Sequence, residues 1–211
     1  MSWDAILEKT RQWWEQREPR SNDAPLVFYR DANTWCPYCH RVFFYLEERG
    51  LRYSTERIHL QSDPREPRKQ AWYLDISPRG SVPALRIRDE VVLESLDILE
   101  RLDREFPPDV QDATAAASDW ARAVVAKSGA FNTDDDEWLH NLDARREDQL
   151  FAAAKAKLRW LEDTLAAHHG PFFLPGTRPS RVDAAYVGFL TRVAANYAFF
   201  KGFDVRAPEN G

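Results

Sequence analysis

Cysteine is scarce: the 211-residue chain carries two, Cys36 and Cys39. A secreted disulfide scaffold spreads more of them along its length, so two thiols three positions apart argue for a reducing compartment and for chemistry at one place. Excess positive charge is missing too. The formal charge is −5 and the sequence pI about 5.6, which argues against a nucleic-acid binder but leaves room for a few local cations to hold a small acidic ligand. No apolar run approaches the roughly 18 residues of a membrane span. The opening Met1-Ser2-Trp3-Asp4 lacks the charged-then-apolar profile of a signal peptide, and there is no internal repeat or low-complexity tract. These absences lead us to expect a cytoplasmic protein with no nucleic-acid or membrane partner. Core material is in normal supply. Eight Trp and twelve Phe within a 44% hydrophobic composition can fill one large domain or two small ones.

Two textures divide the chain. Residues 1–24 are polar and charged and read as an N-terminal extension. Leu26 to Tyr29 is a short apolar run that fits a buried strand. Val42, Phe43, Tyr45 and Leu46 then have helical spacing, with Gly50 in the usual place after a helix. Tyr53 to Leu60 reads as a second strand and Asp63 to Lys69 as loop. Ser77 to Pro83 is turn-rich. Ala84 to Ile87 and Val91 to Leu93 pair across a turn at Asp89-Glu90, and Ser95 to Phe106 forms a helix stopped by Pro107-Pro108. The order is βαβ, a turn region, then ββα. Beyond Pro108 the pattern is helical only. Phe151, Ala154, Leu158, Leu161 and Leu165 make one apolar face, and Ser180 to Asp183 resembles a capping box ahead of another helix. The predicted domains are residues 25–106, α/β, and 109–211, all-helical.

Cys36-Pro37-Tyr38-Cys39 falls between a strand and a helix. A cysteine at a helix N-terminus meets the positive end of the helix dipole and free N–H groups, both of which lower its pKa. Pro37 suits the first helical turn. Cys39 would lie one turn further in, within reach of a mixed disulfide on Cys36. A zinc half-site would need more ligands, and only His40 stands nearby; two inert core thiols are the other alternative. His59 and His140 have no partners at ligand spacing, and the acidic run Asp134 to Glu137 reads as a solvated turn, so no metal is assigned. Val82-Pro83 opens a strand, where a cis-proline and an ordinary one are equally consistent with the local sequence, and the CPYC upstream favours cis. A free Val82 backbone there could pair with an extended peptide ligand. Ser95 stands at a strand-to-helix junction, where it could cap the helix or hold a carboxylate. Lys69 is either a carboxylate partner or a surface lysine.

With these residues in view, the chain resembles the cysteine-type glutathione transferases: the lambda and omega classes and the plant dehydroascorbate reductases. Trp72 to Pro83 is similar to the reductases. Leu93 to Asp97, Gly170 to Leu174 and the Ser180 to Asp183 box are most similar to the lambda class. The resemblance implies a glutathione transferase fold, a thioredoxin-like α/β domain followed by an all-α domain, with Cys36 as catalytic cysteine. It also implies that glutathione, the co-substrate, is held by Val82 through its backbone, by Glu94 and Ser95 at the γ-glutamyl end, and by Lys69 at the glycyl carboxylate. Pro37, Tyr38 and Pro83 flank these positions and are counted in the same site.

The activity implied is glutathione-dependent thiol transfer or reduction, acting on disulfides, glutathionyl adducts or dehydroascorbate. Conjugation of glutathione to electrophiles and a non-catalytic binding module on the same fold are the alternatives. The implied second substrate is small and hydrophobic or a disulfide, and a monomer is expected ahead of a homodimer. Two features depart from the classes named. They usually lack a cysteine at the position of Cys39, and the chain stops at Gly211 where relatives continue into further helices, an end that fits either absent last helices or a shortened chain.

Overall fold

The computed structural model describes residues 26–60, 70–107, 118–167 and 171–207. The readings made for residues 1–24, for the loop through Lys69 and for Pro108 fall outside these. The chain divides into two compact units, residues 1–101 and 102–211.

The first unit is built on four strands. β1 (Leu26–Asp31) is followed by α1 (Pro37–Glu48), β2 (Ser54–Ile58), α2 (Ala71–Ile76), β3 (Ala84–Ile87), β4 (Glu90–Leu93) and α3 (Ser95–Glu105). The sheet order is β2-β1-β3-β4. β1 runs parallel to β2, with Val27 opposite Ser54, and antiparallel to β3, with Phe28 opposite Leu85; β3 and β4 are antiparallel. A parallel pair needs a crossover, and α1 supplies it. Every residue of β1 is buried, as expected of an inner strand covered on both faces. Val27, Tyr29, Ile58, Tyr73 and Ala84 form a core cluster, with Val82 and Leu93 packed against it. Gly50 ends α1 at a φ of +59°. Its N–H bonds to Glu47 O and that of Leu51 to Leu46 O, a turn that wants a left-handed residue.

The second unit is helical, as expected. Among the described residues it holds α4 (Asp119–Ala126), three 3-10 turns, α5 (Glu147–Ala166) and α6 (Arg181–Lys201). The Ser180–Asp183 capping box forms: Ser180 Oγ accepts from Val182 N–H at 3.1 Å, and Asp183 Oδ2 accepts from Ser180 N–H at 2.7 Å. Tyr186, Phe189, Val193 and Tyr197 of α6 are buried. No helix among the described residues is long and apolar enough to cross a membrane.

Four local readings need correction. α2 was not read from the sequence, because six residues are fewer than two turns and show no periodicity. The β3–β4 turn is Arg88-Asp89, one residue earlier than expected, with Arg88 at a φ of +55°. Ser95 is the first residue of α3 rather than its cap. Glu94 precedes it at a φ of +66°, and the carbonyl of Glu94 accepts from Ile98 N–H at 2.9 Å. The acidic turn is not wholly solvated: Asp136 is buried and accepts from Lys157 Nζ and Tyr197 Oη, each at 2.7 Å, and from Leu139 N–H at 2.9 Å. Burial raises its pKa, but the three bonds outweigh that and hold the carboxyl below its ordinary range.

Candidate active site

β1 ends at Asp31, and a short loop carries the chain to Cys36, the residue that caps α1. Cys36 has extended backbone angles, φ −68° and ψ 117°, with Pro37 next at the start of the helix. Both follow from the local sequence. A cap needs extended backbone, and a residue before proline prefers it. The Cys36 sulfur accepts from the backbone N–H of Cys39 at 3.3 Å. It therefore occupies the place of a capping oxygen, aimed at the free N–H groups of the first turn.

The two thiols are electrostatically unlike. The Cys36 pKa is lowered, chiefly by a bond from the Cys39 side chain and then by the N–H groups of Cys39 and Tyr38. Burial and the charge of Asp31 push it the other way. Cys39 is 1% exposed, and burial holds its pKa well above that of a free thiol, helped by Cys36 and Asp31. Cys36 is half-buried and Cys39 fully buried, and both are free thiols. The two thiols are thus shifted in opposite directions, Cys36 toward the thiolate and Cys39 toward the protonated form.

Val82 comes to the same place. In its protonated form Cys36 donates to the Val82 carbonyl at 3.8 Å, and the Val82–Pro83 peptide bond is cis. The segment is tied from behind. Tyr73 Oη donates to the Ser81 carbonyl at 2.6 Å and Ser77 Oγ donates to the same oxygen at 3.1 Å. Tyr73 is fully buried, and that burial pushes its phenol far above its ordinary pKa, so it stays a donor. Thus α2, unread in the sequence, fixes the residue that precedes Val82.

Ser95 is buried, and its hydroxyl accepts from Arg41 Nη1 at 3.1 Å. Arg41 projects from α1, is 3% exposed, and lies 5.3 Å from the centre of the Tyr38 ring. A buried guanidinium at the start of α3 adds to the positive end of that helix. Sequence reasoning missed Arg41, because a charged residue in a helix reads first as a solvated one. Glu94 is exposed and pairs with Arg79. Tyr38 is exposed and Pro37 and Pro83 are buried, while Lys69 lies outside the described residues. Asp31 was missed as well: it is buried, close to both sulfurs, and one of its oxygens accepts from Trp35 N–H.

A cavity of about 710 Å³ belongs to the helical unit. It is lined by residues such as Leu158, Leu161, Arg159 and Arg206, with none of the expected site residues among them.

Residues 35–105, which span every candidate from Cys36 to Ser95, match the family described as glutathione S-transferase, N-terminal domain. The chain is also 30% identical over 170 residues to glutathione S-transferase DHAR2 of Arabidopsis thaliana, covering 81% of this chain and 72% of that protein. This chain belongs to the glutathione transferase family. Solved glutathione transferases share its fold. Glutathione transferase Omega 3C from Trametes versicolor superposes with a TM-score of 0.70 at 24% identity, covering 95% of this chain and 80% of the other. The dehydroascorbate reductase of Chlamydomonas reinhardtii gives 0.67 at 24% identity, over 88% and 82%. Among glutathione transferases, then, this one carries a cysteine at the cap of its first described helix and a second one turn later.

Proposed function

We propose that this glutathione transferase is a glutathione-dependent thiol transferase and reductase that works through Cys36. The observation that carries the reading is the thiol at the cap of α1, bonded by the Cys39 N–H and held below the ordinary thiol pKa. A conjugating transferase needs glutathione's own sulfur to remain the nucleophile. Here the protein's sulfur stands in that place, and its thiolate attacks first.

The reaction runs in two exchanges. The Cys36 thiolate attacks the sulfur of glutathione in a glutathionyl adduct or disulfide. A Cys36–glutathione bond forms, the substrate's sulfur–sulfur bond breaks, and the substrate leaves as a thiolate that takes a proton from solvent. A second glutathione thiolate then attacks the bound glutathione sulfur, releasing oxidised glutathione and restoring the Cys36 thiolate. With dehydroascorbate, two glutathiones supply the two electrons and two protons, and the products are ascorbate and oxidised glutathione. Cys39 can instead attack the Cys36 sulfur: a Cys36–Cys39 disulfide forms, the bond to glutathione breaks and glutathione leaves as the thiol, and two further glutathiones reduce the disulfide, leaving as oxidised glutathione.

For binding, the backbone of Val82 pairs with the peptide of glutathione beside Cys36. Ser95 and the N–H groups at the start of α3 receive the γ-glutamyl carboxylate, and the Arg41 guanidinium behind Ser95 favours that negative charge. Glu94 answers the γ-glutamyl ammonium, and Lys69 the glycyl carboxylate. Pro37, Tyr38 and Pro83 shape the walls. The second substrate is a small disulfide or dehydroascorbate, the protein is a monomer, and its compartment is the reducing cytoplasm.

Activity with hydroxyethyl disulfide and dehydroascorbate, set against chlorodinitrobenzene, tests the reading. The first two are turned over in a Cys36-dependent way and the third hardly at all. Strong conjugation of chlorodinitrobenzene that survives Cys36→Ala, with no thiol transfer in the parent, would overturn it.

A further inference from the structure

Three donors of different chemistry meet at the C-terminal end of β1, an inner strand. Asp31 at the end of β1, Cys36 at the cap of α1 and Cys39 one turn later offer a carboxylate oxygen and two sulfurs, all within 4.8 Å of one another. Asp31 is 1% exposed. One of its oxygens accepts from Trp35 N–H, and the other, Oδ1, is buried with no hydrogen-bond partner among the described residues. A buried carboxylate oxygen left unsatisfied is costly, so a cation that reaches it gains what the described residues do not supply. Spacing in the sequence left the zinc half-site short of ligands, with His40 the nearest. The fold provides a third ligand from the opposite side of the loop.

We propose that, with both thiols reduced, this pocket binds one thiophilic divalent cation, zinc, through Cys36 Sγ, Cys39 Sγ and Asp31 Oδ1. Tetrahedral zinc with sulfur at about 2.3 Å and carboxylate oxygen at about 2.0–2.2 Å sets its donors roughly 3.6–3.8 Å apart, so shifts of about an ångström close the three on the ion. Two thiolates select zinc or cadmium over magnesium or calcium. Binding releases the thiol protons to solvent, and the two thiolates, one carboxylate and the ion together carry a charge of −1. Three protein ligands leave a fourth position open. Cys36 is the half-exposed member of the three, so that position faces the side from which water or a thiol arrives. The ion and disulfide exchange compete for one sulfur. Zinc therefore inhibits thiol transfer, and a mixed disulfide on Cys36 expels zinc. The site requires only two reduced thiols and the carboxylate, and it stands whether or not glutathione is the co-substrate.

The test is titration of the reduced, full chain with zinc chloride against a chromophoric chelator, with alkylation mapping and X-ray absorption at the zinc edge. One zinc per chain is expected, with Cys36 and Cys39 both protected from alkylation and a ligand set of two sulfurs and two light atoms without imidazole scattering. Asp31→Asn should weaken binding more than about tenfold, since even outer partners of metal ligands are worth that much; Asp31→Ser serves where the first variant does not fold. His40→Ala should leave the affinity unchanged. Zinc lost wholly to the chelator, half a zinc per chain bound by four sulfurs, an imidazole in the ligand set, or both Asp31 variants binding as tightly as the parent would each overturn the proposal.

Discussion

Replacing Cys39 by alanine and, separately, by serine isolates what the buried thiol does for Cys36. Both variants remove the reserve sulfur, so both abolish any internal disulfide. They differ in one bond. The Cys39 side chain is the largest influence lowering the Cys36 pKa, and its backbone N–H, 3.3 Å from the Cys36 sulfur, survives either change. Serine keeps a donor at the same place and alanine removes it. A thiol is a weak donor, so the bond is placed below the usual range for bonds to charged groups, at about 1 kcal/mol. That corresponds to about a fivefold fall in thiolate population at a pH below the Cys36 pKa. The assay is the rate of Cys36 alkylation by iodoacetamide between pH 5 and 9. Cys39→Ser should keep a midpoint below the free-thiol value of about 8.5. Cys39→Ala should be about fivefold slower at pH values below the parent's midpoint, with its own midpoint moved upward. Equal rates for the two variants, or an alanine variant as fast as the parent, would refute the assignment of that bond.

Ser95→Ala should weaken glutathione binding a few-fold to tens-fold in calorimetry, as expected when a bond to a charged group worth about 1–2 kcal/mol is lost; unchanged affinity would leave Ser95 a partner of Arg41 and nothing more. Asp136→Asn should lower the stability of the helical unit by about 2–3 kcal/mol in urea denaturation at neutral pH, because Lys157 and Tyr197 lose their anionic acceptor. The Asp136 pKa is lowered in the folded state, so its contribution is fully present above the unfolded carboxylate value of about 3.9 and is lost as pH falls through the folded value. The gap between parent and variant should therefore hold above about pH 4 and close below it.

The parts of the site that were legible in the sequence are those with local signals. A cysteine followed by proline between an apolar strand and an amphipathic helix announces a capped helix start. Val82-Pro83 announces itself by the proline, and the Ser180–Asp183 box by its spacing. What escaped are residues whose meaning is tertiary. Asp31 is the polar last residue of an apolar strand, and its approach to Cys36 and Cys39 exists only once β1 lies beside α1. Arg41 is one charge on a helix until α3 brings Ser95 to it. Asp136 looks like its solvated neighbours until Lys157 of α5 and Tyr197 of α6 close over it. The helix α2 is too short for its period to show, yet through Tyr73 it fixes the carbonyl of Ser81 next to Val82.

The central claim is that Cys36 is the nucleophile and glutathione its partner. Intact mass of the Cys39→Ser chain after incubation with oxidised glutathione tests it most directly, because the missing reserve thiol cannot displace the adduct. The expected result is a gain of one glutathione per chain, mapped to Cys36, reversed by free glutathione and absent in Cys36→Ser. A chain that stays unmodified, or carries glutathione anywhere but Cys36, would contradict it.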